Sequence, residues 1–388
     1  MKEKSTIVFS GDIGFDHYMD RKWEDEELLD DAVTEFILDS DHVAVNVEGA
    51  LSMGQKNVLS NSVVSLMHSM NPEVTVFLNR IKADIWNICN NHIMDAGAEG
   101  LADTLAEAVK CNAHTIGAGM TLSEAAKPLI LEEAGGIGMF GVGYQRGCRK
   151  ASTDTPGCLS WSDMDVIKAT IEDIKSKCRW CVVVAHGGEE FTSLPSPYTR
   201  KRYMDYLEMG ADIVVSHHPH VPMNYETFAD GKAIFYSLGN FIFDTDYQRA
   251  QFNTEKGILL KINFTEENFS TEAMGILINR ENQRIQKSEL PLIYEDVQQK
   301  DYELLAPLSA KAFVSATKRQ QMYLNRDKFI NATDEEWYEH FMEPKRSGRV
   351  PGEALDFQII LPLAKKEEEK DWEKSSLENV KKYILEQI

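Results

Sequence analysis

Three histidines fall within four positions at His217-His218-Pro219-His220, directly after the apolar run Ile213-Val214-Val215. Imidazoles held that close together make a ready site for a divalent metal. On an extended segment alternate residues share a side, so His218 and His220 are expected to face one way and His217 the other. Pro219 resists helix and is expected to keep the pair extended. Four other apolar runs end in residues of the same kind. They deliver Asp12, Glu48, Asn91 with His92, and His186. Oxygen and imidazole donors without thiolate suit Zn, Mn or Fe. Asp12, Glu48, Asn91, His186, His218 and His220 exceed what one tetrahedral ion needs, so one or two divalent ions are expected. Two ions about 3.5–4 Å apart clamp and activate a water for attack on a phosphate or a carbonyl.

His92 beside the Asn91 amide suits an acid/base imidazole next to a metal ligand. Asp95 either caps the helix that follows or serves beside His92. The elements that must position these residues alternate in period. Apolar runs read as strands at 6–10, 42–47, 83–89, 181–185, 213–217 and 233–237. Helical spacing covers 23–39, 73–82, 98–110, 162–178 and 198–209, the last closed by Gly210. That alternation predicts an α/β fold whose strand ends gather the chemistry at one rim. Two further strands are expected within 257–264 and 274–278. Past about 285 the chain turns charged and helical, which divides it into 1–285 and a helical extension over 286–388.

The chain has 388 residues and a net charge of −21, which argues against binding a nucleic-acid backbone. No run of 18 apolar residues exists, so no membrane span is expected, and the chain as given reads as cytoplasmic. Six cysteines are sparse, and Cys178-Arg179-Trp180-Cys181 has no second CxxC beside it, so the thiols read as reduced and structural.

The order Asp, acid, Asn-His, His, His-x-His is similar to the metallophosphoesterase, or calcineurin-like, pattern. More closely, the chain resembles the CapA family, associated with poly-γ-glutamate capsule synthesis. The pieces that carry the resemblance are Gly11-Asp12, Asn46-Val47-Glu48, Asn90-Asn91-His92-Ile93-Met94-Asp95, His186-Gly187-Gly188-Glu189-Glu190, His217-His218-Pro219-His220-Val221 and Ser237-Leu238-Gly239-Asn240-Phe241. The resemblance implies a four-layer α/β/β/α metallophosphatase-like sandwich with a mostly helical C-terminal extension. It also implies a metal-dependent hydrolase acting on a phosphoester or a glutamyl amide, or a non-catalytic metal-binding component of a polymer synthesis or export complex. Asp12 and His220 would hold one ion and Asn91, His186 and His218 the other, with Glu48 bridging. His92 would meet the leaving group, and Glu190 would orient His186. The usual Trp after His186 is Gly187 here, which is expected to open the wall of the site. The first ligand motif lacks its second imidazole, since Asp12 is followed by Ile13-Gly14, and His17 is the nearest substitute.

Asn46, Asn90, His217 and Asn240 are expected to contact substrate, which would be an anionic polymer or a small molecule. An acidic ligand on an acidic protein needs a local basic lining. Arg146, Arg149 and Lys150, and Arg200, Lys201 and Arg202, are the candidates.

Overall fold

The computed structural model describes residues 2–53, 67–144, 148–324, 333, 336, 363 and 377–388. The first half of the chain alternates strand and helix. It runs through β1 (Lys4–Gly14), α1 (Asp31–Leu38), β2 (His42–Val47), α2 (Thr75–Arg80), β3 (Ile85–Asn87), α3 (Gly97–Lys110) and β4 (His114–Ile116). These four strands are parallel. A second sheet follows. Its strands are β5 (Leu129–Leu131), β6 (Ile137–Gly143), β7 (Trp180–His186), β8 (Ile213–His217), β9 (Tyr225–Thr227) and β10 (Ala233–Phe235), with α4 (Met164–Lys175) and α5 (Pro197–Glu208) between them. The chain then returns to the first sheet. There β11 (Asn240–Phe243) pairs with the far end of β1, and β12 (Lys256–Thr265), β13 (Phe269–Asn279) and β14 (Arg284–Ser288) extend it antiparallel. The spatial orders are β14-β13-β12-β1-β2-β3-β4 and β9-β10-β8-β7-β6-β5.

Alternation along the strands makes the layers. Ile7, Phe9, Ile85, Leu260 and Ile262 of the first sheet share one buried cluster with Ile137, Met139, Val182, Val184, Ile213 and Val215 of the second. The intervening residues face outward. Val8, Val43, Val45 and Trp86 on one side, and Phe140, Val183 and Val214 on the other, pack with Val33, Leu101, Ile167, Ile171, Tyr203 and Tyr206 of the helices. The order is therefore helix, sheet, sheet, helix, as the resemblance implied. Each such side chain, buried on a strand covered on both faces, contributes roughly 1.5–3 kcal/mol of transfer free energy.

Several boundaries differ from the sequence reading, for local reasons. The helix expected over 23–39 begins only at Asp31, because the Asp30 carboxylate accepts from the Val33 N–H and caps it there. Strand β1 is not broken at Gly11-Asp12. It shifts register between Asp12 and Ile13 and changes to parallel partners on β11. Strand β14 continues the ladder to Ser288. In the C-terminal region, α6 (Gln299–Leu324) and α7 (Glu378–Leu385) close a separate apolar cluster through Tyr302, Leu305, Ala312, Val380, Tyr383 and Ile384, against Leu194. Among the described residues no helix is long and apolar enough to cross a membrane.

Candidate metal centre

The first sheet supplies oxygen donors and the second supplies imidazoles. Asp12, opposite Asn46 in the β1–β2 register, is anchored by an Asn46 Nδ2 bond to its Oδ1 at 2.8 Å. Asn87 donates to Asn46 Oδ1 at 2.9 Å, so β1, β2 and β3 hold that carboxylate through a chain of amides. Asn46 was expected to meet substrate; it is instead committed to positioning Asp12. Gly11 permits the approach that follows, since a Cβ there would lie 2.1 Å from the Gly239 carbonyl oxygen. Glu48, just past β2, is fully buried.

On the second sheet His186 ends β7, paired with His217 at the end of β8. His218 and His220 do converge on one region, but not by strand alternation. His218 has φ +99° and His220 φ +59°, in the left-handed region that non-glycine residues seldom adopt. Two such residues flanking Pro219 turn both rings inward. That strain marks the segment as one held in place by its surroundings. His217 is not a substrate contact. Its Nε2 lies 2.9 Å from the Ser10 carbonyl and its Nδ1 3.4 Å from that of Ala185, which ties the two sheets together.

The donors converge into two triads that share one carboxylate. Ligand atoms of Asp12, Glu48 and His186 lie within 4.8 Å of one another, as do those of Glu48, His218 and His220. The expected partners are also close: His220 Nδ1 lies 3.3 Å from Asp12 Oδ2, and the His186 and His218 ring centroids are 5.0 Å apart. Asn91 Oδ1 lies 2.8 Å from His186 Nε2, which is 3.8 Å from Glu48 Oε1. His220 Nε2 is 3.7 Å from the same Oε1. His220 Nδ1 donates to Asn240 Oδ1 at 2.9 Å, and Asn240 spends its own amide protons on Gln248 and Thr254. Asn240 therefore fixes the tautomer that presents Nε2, and is not free for substrate. Asn90 is committed as well, donating to the Val47 carbonyl at 2.7 Å and accepting from the His92 N–H at 3.1 Å.

The electrostatics test whether a cation fits. Both oxygens of Glu48 are sealed from solvent and have no hydrogen-bond partner among the described residues. Burial, with the Asp12 charge, pushes its carboxyl well above the usual carboxylate range. Burial and neighbouring imidazoles hold His186 well below the ordinary histidine value. Burial also opposes charge on His220, but the Glu48 and Asp12 carboxylates outweigh it and push that ring up to about 10. An unpartnered carboxylate this deep is costly, and a divalent cation held by Glu48 and its neighbours would offset that cost. The donors fit such an ion.

The expected acid/base group sits at the edge of this cluster. His92 Nδ1 lies 2.7 Å from Asp95 Oδ2, and burial, helped by the adjacent His68 ring, lowers it to about 4. Asp95 is therefore an orienting group and makes no helix cap; Ala96 occupies the cap position. Glu190 does not orient His186. Its Oε1 is 3.7 Å from His218 Nε2, and its Oε2 accepts from Tyr247 at 3.3 Å and from Gln320 of α6 at 2.9 Å. Gly187 opens no wall, because Tyr144 and Trp161 fill the space beside it. His17 is half-exposed, 4.0 Å from Asp16, and belongs to neither triad.

Most of the expected basic lining is engaged elsewhere. Arg200 forks onto the Glu226 carboxylate at 2.6 and 2.7 Å, Lys201 pairs with Asp205, and Lys150 pairs with Asp163. Arg202 lies over the Trp161 and Tyr198 rings. Arg149 is exposed. Arg146 lies outside the described residues. Sequence reading missed His68, which meets the His92 ring edge to face, and Asp16, which holds the His68 ring; the apolar residues just before each, Leu66-Met67 and Phe15, were the available signal.

A sequence profile described as the bacterial capsule synthesis protein PGA_cap matches residues 6–245. Among curated proteins, the chain is 32% identical over 248 residues to a PGA biosynthesis protein CapA of Bacillus subtilis, covering 63% of this chain and 64% of that one. It is 28% identical over 264 residues to a capsule biosynthesis protein CapA of Bacillus anthracis, covering 64% of this chain and 62% of that one. The matched part thus spans under two thirds of either relative. Among solved structures, a purple acid phosphatase from yellow lupin seeds aligns over 78% of this chain and 55% of that one at 9% identity, with a TM-score of 0.32, too slight a likeness to speak to chemistry.

Proposed function

The chain belongs to the bacterial capsule synthesis protein family, and we propose that it is a metal-dependent hydrolase within it. The substrate class is a phosphoester or a glutamyl amide, and the second of these suits the capsule-polymer names of its relatives. The observation that carries this reading is Glu48, fully buried, with no hydrogen-bond partner for either oxygen among the described residues, between His186 and His220. Asp12, Glu48, Asn91, His186, His218 and His220 would hold one or two ions of Mn, Zn or Fe. A divalent cation there supplies Lewis acidity, polarising a phosphoryl or carbonyl oxygen and lowering the pKa of a water. The chain's own residues do the rest. Asn46 and Asn240 keep Asp12 and His220 in their ligating orientations. Asp95 holds the His92 ring through Nδ1, and a second proton carried on Nε2 would pass to the leaving-group oxygen.

With Arg200, Lys201 and Lys150 already paired, a polyanionic ligand would find its positive charge at the metal. The expected behaviour is that protein purified without chelator contains a transition metal and turns over one substrate in a metal-supplemented screen of phosphoesters and γ-glutamyl oligomers. The His218→Ala/His220→Ala variant should lose both. Unchanged metal content in that variant overturns the site. Metal without turnover leaves a binding component of a polymer-handling assembly.

A further inference from the structure

Beside the metal donors the fold builds the same device twice. His92 has its Nδ1 on the Asp95 carboxylate, and His68 has its Nδ1 on the Asp16 carboxylate. The two rings meet edge to face with centroids 4.3 Å apart and planes at 85°. The pairs are interlocked, because the His68 backbone N–H donates at 2.9 Å to the same Asp95 Oδ2 that holds His92. Phe243 backs the His68 ring at 4.9 Å and the His220 ring at 5.0 Å, which places His68 one aromatic ring away from the metal donors. Neither Nε2 has a hydrogen-bond partner among the described residues, and neither belongs to the sealed, unpartnered atoms. With Nδ1 committed, Nε2 is the atom each ring has left to offer.

We propose that His68 is a second substrate-contacting imidazole, which donates from Nε2 to an anionic oxygen of the substrate while Asp16 holds the ring in place. The proposal rests on the hydrolase reading above and adds a residue outside every motif that supports that reading. Two neighbouring imidazoles, one for the leaving group and one for a non-reacting oxygen, fix a substrate's orientation as well as its position. Asp16 supports the arrangement. Burial works to raise its pKa, yet the hydrogen bond from His68, together with the neighbouring His68, His17 and His92 rings, outweighs that and holds the carboxyl below its ordinary value. With Nδ1 held by Asp16, a proton carried on Nε2 when an anionic ligand arrives would serve the oxyanion. Phosphoryl and glutamate oxygens share this chemistry, so the ligand class is an oxyanion, and the two sources are separated by experiment.

The test uses the full chain loaded with Mn(II), with inorganic phosphate and L-glutamate as separate probes in isothermal titration. Losing one charge-assisted hydrogen bond should weaken binding of the cognate probe by about 10–100-fold. His68→Asn keeps an amide near Nδ1 for Asp16 and removes the outer donor, so it should show the full loss. His68→Gln places its amide near Nε2 and should restore part of the affinity. Metal content should match wild type in both. Should a His68→Asn protein prove unstable, Asp16→Asn, which frees the ring without removing it, should weaken the same probe several-fold. Phosphate and glutamate affinities equal to wild type in His68→Asn overturn the role of His68 alone, as does a metal-loaded wild type that binds neither probe. A wild-type chain that takes up no metal overturns the hydrolase reading, and this role with it.

Discussion

At the edge of the first sheet where β2 and β3 begin, His42 Nδ1 lies 2.6 Å from Asp84 Oδ2. At the edge where they end, His92 Nδ1 lies 2.7 Å from Asp95 Oδ2. The pairs are chemically alike, but their surroundings differ. His42 Nε2 has Glu133 at 3.6 Å, and the second Asp84 oxygen accepts the Val43 N–H at 2.8 Å. Every strong polar atom of that pair is served within the chain. At the other edge, among the described residues, His92 Nε2 has no hydrogen-bond partner and neither oxygen of the nearby Glu48 has a donor. The same residue types make a fastening at one end and an unfinished site at the other. What distinguishes them is hydrogen-bonding capacity that the chain itself leaves unused.

The comparison breaks if the two histidines respond alike. His92→Gln should lower turnover by about 10²–10⁴-fold while leaving metal content and melting temperature near wild type. His42→Gln should leave turnover alone and lower the melting temperature. Loss of metal in the His92 variant would move that ring among the ligands and cancel the contrast.

The carboxylates sharpen it, with a smaller effect and an opposite sign. Glu48→Gln removes a buried charge that no donor satisfies, so the metal-free variant should melt at or above wild type. Wild type should gain about 2.7 kcal/mol when metal is added at a hundred times its dissociation constant, and the variant should gain almost nothing. Asp84→Asn should instead cost about 1–3 kcal/mol with or without metal, because it weakens bonds the chain has already made. Thermal melts with and without EDTA separate these outcomes. A Glu48→Gln protein that keeps the metal-induced shift would remove Glu48 from the centre.

The sequence shows one of these edges better than the other. Apolar runs that stop at Asp12, Glu48, Asn91, His186 and His218 announce themselves, because a buried strand must end where its ligand begins. The burial of the central strand on both faces was likewise readable from the continuous apolar run Cys181-Val182-Val183-Val184-Ala185, and the four-layer order came with the family resemblance. His68 was not read, although the run Val63-Val64-Ser65-Leu66-Met67 stands directly before it, because its meaning comes only from touching His92 and Asp16. Nor was the fate of Arg200 readable, because Glu226 lies 26 residues further on and meets it only once α5 packs beside β9. The inward turn of His218 and His220 depends on positive φ values that no periodicity encodes. Long-range pairing and backbone strain are properties of the folded chain, and a one-dimensional pattern carries neither.

The smallest expected effect is a pH dependence confined to the fastening edge. The hydrogen bond from His42 to the Asp84 carboxylate, with Glu133 nearby, raises the His42 pKa above its ordinary value near 6.5, although partial burial works the other way. A histidine whose folded pKa is raised contributes stability that is fully present below the unfolded value. That contribution is lost as pH rises through the folded value. The difference in melting temperature between wild type and His42→Gln should therefore be largest near pH 6 and shrink as pH climbs past 6.5. EDTA should be present throughout, so that metal release from the opposite edge does not enter the slope. His42 is partly open to solvent, and screening keeps the effect modest. A difference that grows with rising pH would mean that His42, like His92, is held neutral, and the contrast between the two edges would fall.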